Sequence, residues 1–340
     1  MRVLLDATFL NRGPTGTGTY AAALARTLPA LGVEVVLAGN PHRRPPAGGG
    51  LGSVRNAAAD LRWELAALPR IARAEEADLV HHPLPAVGRP GGPPRVVTVH
   101  DLAFLRLPEL YPAAYRRWAA LTHRAAARSA RVVVVPSETT ARDVRARWGV
   151  PAARIVVAPH GPGQPLDVVR AAPAHLLYVG DDQPRKNLPR LLAAHARYSE
   201  QVSAALPLVL AGGVADPRRP GVRVEPRPDP WRLAELLGAA LALVHPALHE
   251  GFGLTPLEAM AAGVPVIAAR APGVTEACGP AALYFDPLSV EDLAGALERI
   301  SGDPALRDDL AARGRARAAG LSWDRAAEHH LAAYTLALAR

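Results

Sequence analysis

Residues 249 to 266 read His249-Glu250-Gly251-Phe252-Gly253-Leu254-Thr255-Pro256-Leu257-Glu258-Ala259-Met260-Ala261-Ala262-Gly263-Val264-Pro265-Val266. A carboxylate and two glycines stand directly before an expected helix start. Glycines let a backbone approach a ligand closely, and the N–H groups of a helix start favour a phosphate. Glu250 would project beside that phosphate. Glu258 also has a plainer reading, in which Thr255 is the N-cap, Pro256 the first helical residue and Glu258 the N3 partner of a capping box. A second candidate segment is Gly180-Asp181-Asp182-Gln183-Pro184-Arg185-Lys186-Asn187. Of the 39 basic residues, 38 are arginine, and Lys186 is the only lysine. Lysine is a compact point charge where arginine is a planar fork, so a site needing the smaller group would explain the exception; chance is the alternative. Basic residues at a helix start oppose its dipole unless an anion is present.

His100 falls at the end of an expected strand, where a side chain can face a ligand. The loop 13–18 contains Gly16 and Gly18 but lacks a full Gly-x-Gly-x-x-Gly, and no phosphate-binding lysine follows it. It serves either as a tight strand-to-helix turn or in contact with a diphosphate or acceptor. Adjacent His81 and His82 point to opposite faces of a strand, and neither His-Glu-x-x-His nor Asp-x-Asp occurs. No metal site is expected.

The elements that must hold these groups alternate between short β-branched runs and alanine-rich helical stretches. Strands are expected at 3–6, 33–38, 78–81, 95–100, 131–135 and 155–158, with helices over 20–31, about 113–129 and after Ser137. A linker rich in proline and glycine follows over 159–173. A second run has strands at 175–180, 208–211, 241–245 and 264–268, and helices over 188–198, after Thr255 and from Ser289 onward. This rhythm predicts two doubly wound α/β domains, residues 1–162 and 172–321, facing each other across a cleft. The segment 39–52 reads as a loop without an assigned role.

At 340 residues, with about 150 per domain as a guide, two domains agree with the length. The hydrophobic share of 49% and charged share of 21% exclude disorder as the main state. The longest apolar stretch, 236–248, contains His245 and Pro246 and is too short to span a bilayer. Asp6 interrupts the first apolar run where a signal peptide needs its hydrophobic centre, and Cys278 is the only cysteine, so a cytoplasmic protein without a disulfide is expected. The net charge of +8 is uneven: residues 1–162 hold 21 basic and 11 acidic side chains, and the remainder 18 and 20. The basic half should meet something anionic. The stretch 113–129 carries Arg117, Arg124 and Arg128 at helical spacing, with Arg131 beyond and Tyr115 and Trp118 near its start. It reads either as a face for an anionic membrane or as an exposed arginine surface over an alanine core stripe.

The pair Glu250 and Glu258, seven residues between them, with Gly-Phe-Gly inside and Gly263-Val264-Pro265-Val266 after, resembles the signature of the retaining GT-B glycosyltransferases of family GT4. Gly180 to Asn187 is similar to that family's loop opening the second domain. Val99-His100-Asp101-Leu102, Val135-Pro136-Ser137-Glu138, Gly16-Thr17-Gly18-Thr19-Tyr20 and Ser322-Trp323-Asp324 also look like its landmarks. The resemblance covers essentially the whole chain. Asp181 departs from it, since some members have an arginine there.

The resemblance implies an α/β GT-B fold of two Rossmann-like domains, with the helix 322–340 packing back on the first, and a metal-independent hexosyltransferase with no cofactor beyond its co-substrate, a GDP- or UDP-sugar. Glu250 would contact the donor sugar, Glu258 the ribose, Arg185 and Lys186 the diphosphate, and the amides of Gly251, Phe252, Gly253 and Leu254 the same anion. His100 would approach the sugar, and Gly16 and Gly18 the diphosphate or acceptor. The acceptor would be a glycan or lipid-linked glycan, as in bacterial mannosyltransferases of polysaccharide assembly, with peripheral contact at the inner membrane face. Two other classes remain at this point: a non-catalytic two-domain sugar- or nucleotide-binding protein, and a nucleic-acid binder suggested by the isoelectric point near 10.3; nucleic acid is not the expected partner.

Overall fold

A computed structural model describes residues 1–10, 15–43, 51–88, 91–163 and 166–339, without the side chains of 51, 53 and 54. Gly13 and much of the expected 39–52 loop lie outside these residues. The chain forms two compact units, residues 1–160 with 323–340, and residues 161–322.

The first unit carries β1 (Arg2–Asp6), β2 (Glu34–Ala38), β3 (Leu79–His82), β4 (Arg95–Thr98), β5 (Val132–Val135) and β6 (Ile155–Val157). All pair in parallel, in the order β2-β1-β3-β4-β5-β6. Its helices are α1 (Gly16–Thr27), α2 (Leu51–Arg62), α3 (Leu68–Ala74), α4 (Ala103–Arg106), α5 (Ala113–Ser129) and α6 (Glu138–Trp148), with the last helix of the chain, Trp323–Leu338, returning to it. β5 is four valines with no exposed position, as a parallel strand covered on both faces must be. α6 shows why the sequence breaks where it does. Ser137 caps it by accepting from the Thr140 N–H, Glu138 sits in its first turn, and Gly149 at φ +67° ends it.

The second unit carries β7 (His175–Val179), β8 (Leu208–Gly212), β9 (Val222–Pro226), β10 (Ala240–His245), β11 (Val266–Ala269) and β12 (Leu283–Phe285), again all parallel, in the order β12-β11-β10-β7-β8-β9. Its helices are α7 (Leu188–Gln201), α8 (Pro230–Gly238), α9 (Leu254–Ala261), α10 (Pro272–Cys278), α11 (Val290–Gly302) and α12 (Pro304–Ala319), so the helix returning to the first unit is α13. Alternate residues of one strand serve two cores: Leu176 and Tyr178 pack with Leu210, Val244 and Ile267, whereas Leu177 packs with Val209, Leu243 and Val266.

In a doubly wound sheet, ligands bind beyond the carboxyl ends of the strands where the order reverses. That point lies between β7 and β10 in the second unit and between β1 and β3 in the first. The loops leaving β7 and β10 are those that carry Arg185, Lys186 and Glu250.

Candidate active site

Two glycines begin the site. Gly180 and Gly212 follow or end neighbouring strands at φ +155° and +142°, and a Cβ on Gly212 would lie 2.1 Å from the Gly180 carbonyl oxygen. The loop after Gly180 is then tied down. Asp181 accepts from the Gly213 N–H at 2.9 Å, and the Tyr178 hydroxyl donates to the Asp181 carbonyl at 3.0 Å. Pro184–Lys186 forms one 3₁₀ turn, and Asn187, left-handed at φ +59°, donates its amide to the carbonyls of Pro246 and Pro287. The Leu248 N–H donates to the Arg185 carbonyl at 2.8 Å, so the two loops are stitched together.

This stitching brings three predicted site residues into contact. Lys186 Nζ lies 2.6 Å from Glu250 Oε1, and Arg185 Nη1 lies 2.9 Å from Glu250 Oε2. The side chains are 15%, 19% and 12% exposed in the order Lys186, Arg185, Glu250. Burial pushes the Glu250 carboxyl up, but Lys186 and Arg185 together outweigh it and hold the group well below the usual carboxylate range. Two cations thus converge on one carboxylate where the loops leaving β7 and β10 meet.

His245, at the end of β10, was not singled out by the sequence. Its Nε2 lies 3.6 Å from Glu250 Oε1, and this buried atom has no hydrogen-bond partner. Burial, with Lys186 and Arg185 nearby, keeps the ring neutral, while Glu250 pulls the other way. The signal in the sequence was a histidine closing an otherwise apolar strand.

Gly251, Phe252 and Gly253 lead into α9. Gly253 sits at φ +123°, and a Cβ on Gly273 would lie 2.0 Å from the Glu250 carbonyl oxygen, so the turn packs directly on the start of α10. The helix starts at Leu254 with Gly253 as its N-cap and no side-chain cap. The capping box is therefore corrected. Thr255 lies inside the helix, Glu258 falls in the second turn, and its Oε1 lies 1.7 Å from where a Cβ on Gly163 would be. Gly253 displaces Thr255 because it alone can take the positive φ that the turn requires.

In the first unit, His100 lies two residues beyond β4 rather than at its end. Its ring meets Tyr20 edge-on with centroids 5.0 Å apart, its Nδ1 is 3.5 Å from His160 Nε2, and its Nε2 is buried without a hydrogen-bond partner. Burial pushes its pKa down to about 4, against the pull of Asp101 and the Pro83 carbonyl. Gly16 is the first residue of α1, and the Gly18 N–H is taken by Thr15 Oγ1 at 3.1 Å. His81 and His82 do face opposite ways. His81 meets the hydroxyls of Thr98 and Tyr334, at 2.9 and 2.8 Å, whereas His82 Nδ1 lies 3.5 Å from Asp6 Oδ2 at the β1/β3 switch point. Among the described residues, no three His, Cys, Asp or Glu side chains converge as a metal site.

Two doubly wound parallel units define a GT-B glycosyltransferase fold. Sucrose-phosphate synthase from Thermosynechococcus elongatus matches with a TM-score of 0.77 at 21% identity, over 98% of both chains. An Anabaena protein solved with UDP and glucose matches at 0.70 and 17% identity, over 97% of this chain and 98% of that one. Residues 14–161 match the model described as Glycosyltransferase Family 4, and residues 169–317 the one described as Glycosyl transferases group 1. The O-antigen chain mannosyltransferase B of Escherichia coli is 29% identical over 266 residues, 71% of this chain and 70% of that protein. The chain belongs to glycosyltransferase family 4, and it is a transferase. The reading as a non-catalytic binding protein is not favoured.

Proposed function

We propose that this protein transfers a hexose, of the mannose type, from a GDP- or UDP-sugar to a glycan or lipid-linked acceptor with retention of configuration and without a metal. The observation that carries the reading is the convergence of Arg185 and Lys186 on Glu250 beyond the carboxyl ends of β7 and β10. Breaking the sugar–phosphate bond builds negative charge on the leaving diphosphate. Fixed cations, already held by the loop after β7, stabilise that charge without reorganising, which is work that a metal performs in other transferases. The acceptor hydroxyl bonds to the anomeric carbon on the face that the diphosphate leaves, and its proton passes to the departing phosphate oxygen. Glu250 contacts hydroxyls of the sugar, Glu258 the ribose, the amides of 251–254 the phosphates, and His100 the sugar. The mannosyltransferase relative supports the choice of sugar.

The acceptor side is the basic first unit. On α5, Trp118 is 48% and Leu121 73% exposed beside Arg117, Arg124 and Arg128, and the helix contains no acidic residue. In this reading that face meets an anionic membrane holding the acceptor. Among the described residues no helix is long and apolar enough to cross a membrane.

The test is thermal unfolding with GDP-, UDP-, ADP- and dTDP-sugars. A ligand at a hundredfold excess over its Kd stabilises by about 2.7 kcal/mol, a shift of a few degrees. A rise with GDP- or UDP-sugars is expected. No rise with any nucleotide sugar would remove the reading.

A further inference from the structure

The Glu250 carboxylate sits on the two cations that the proposed function assigns to a diphosphate. Its Oε1 and Oε2 are within 2.6 and 2.9 Å of Lys186 Nζ and Arg185 Nη1, so phosphate oxygens and this carboxylate compete for the same donors. A charge-assisted pair at these distances is strong where water is scarce. Displacing it would leave a buried carboxylate without its counter-ions, a costly state unless another partner is at hand.

His245 is that partner. It is 2% exposed, it projects from the last position of β10, and its Nε2, buried and without a hydrogen-bond partner, stands 3.6 Å from Glu250 Oε1. A buried ring nitrogen left unpaired needs an explanation. A small rotation of the Glu250 side chain away from the cations closes the gap and satisfies both groups. The neutral ring then donates its Nε2–H to the carboxylate, whose other oxygen remains to accept from a hydroxyl group.

We infer that Glu250 exchanges partners when the donor binds, ceding Arg185 and Lys186 to the diphosphate and passing to His245, which makes His245 a positioning residue for the carboxylate that receives the sugar. This rests on the proposed function and specifies how its site selects a sugar-bearing nucleotide over the bare diphosphate. The carboxylate opposes entry of any diphosphate, and only a ligand whose sugar hydroxyls meet the relocated Glu250 recovers that cost.

The inference separates two affinities that a simple cation site would move together. Calorimetry would give dissociation constants for GDP with GDP-mannose and for UDP with UDP-glucose in the wild type and in Glu250→Gln, His245→Leu and His245→Asn. Glu250→Gln removes the competing charge at constant shape, and the bare diphosphate should bind about tenfold tighter while the nucleotide sugar gains less. His245→Leu should leave the bare diphosphate within about threefold of the wild type and weaken the nucleotide sugar about tenfold. His245→Asn, which keeps an N–H donor, should recover most of that loss. Where His245→Leu does not fold, His245→Met serves as the apolar variant.

An unchanged or weaker affinity of Glu250→Gln for the bare diphosphate would overturn the exchange. Equal losses in the apolar and Asn variants, or equal effects on both ligands, would reduce His245 to a packing residue and overturn its role. A wild type that binds none of the four nucleotides would instead overturn the proposed function, so the two failures are distinguishable.

Discussion

At the scale of single residues, the position of Glu258 removes one of the two readings that the sequence left open. A capping glutamate would lie at the third helical position, but α9 begins at Leu254 and places Glu258 one residue into the second turn. Its carboxylate instead lies over Gly163, in space that only a glycine leaves free. Glu258→Gln should therefore not carry the cost of about 1 kcal/mol that a lost N-cap carries. It should weaken nucleotide binding about tenfold through the ribose contact proposed above. Chemical denaturation and calorimetry together check this, and lowered stability with unchanged nucleotide affinity would return Glu258 to a structural role. Residues that meet across neighbouring loops were legible, because Arg185, Lys186 and Glu250 each belong to a recognisable motif. The contact of Tyr20 with His330 was not: at 2.6 Å it joins positions 310 residues apart, and although Tyr20 ends a landmark segment, nothing in the sequence pairs it with His330.

At the scale of elements, α5 agrees with the range its alanine and arginine spacing predicts, residues 113–129. Both of its faces were legible too, with Ala119, Ala126 and Ala127 buried and Trp118 and Leu121 outside. Less was legible at the edges of the second sheet and where the element is short. β9, at Val222–Pro226, was missed because Arg223 and Glu225 alternate with valines on an edge strand. β12 was missed at three residues. The β11 boundary moved to Val266 because Val264 and Pro265 belong to the turn after Gly263, whose φ is +68°. The exposed face of α5 carries the prediction at this scale. Sedimentation with phosphatidylglycerol vesicles should bring the protein down at low salt and release it as salt rises, since each arginine near an anionic surface contributes roughly 1 kcal/mol. Phosphatidylcholine vesicles should leave it in solution. Trp118→Ser with Leu121→Ser should lose at least about fivefold in partitioning, with little change in stability because both side chains are exposed. Equal sedimentation of variant and wild type would remove α5 as the contact.

For the whole molecule, the first unit is closed by a polar core that acid should open. The Tyr20 hydroxyl, fully buried, reaches His330 Nε2 at 2.6 Å and Thr98 Oγ1 at 2.7 Å, while His81 links Thr98 to Tyr334, so α13 is tied to the sheet through histidines. Burial lowers His100 and His330 to about 4 and holds His81 and His160 well below the ordinary histidine range. A histidine with a depressed native pKa binds protons first in the unfolded chain. Stability from these groups is therefore complete above about pH 6.5 and is lost as the pH falls toward 4, at up to about 1.4 kcal/mol per pH unit for each. Glu64 opposes them, because burial raises its native pKa to about 8 and its proton stabilises the fold as the pH falls from 8 toward 4.5. One carboxyl offsets about one imidazole, and four imidazoles share the cluster, so the net slope is set by the histidines. Trp63, Trp148 and Trp323 are buried in this unit, whereas Trp231 of the other is 75% exposed, so tryptophan emission follows the first unit's unfolding. Urea titration by emission should show a midpoint at pH 5 well below that at pH 7. Coincident midpoints would mean that the histidines take up protons in the native unit as readily as in the unfolded chain.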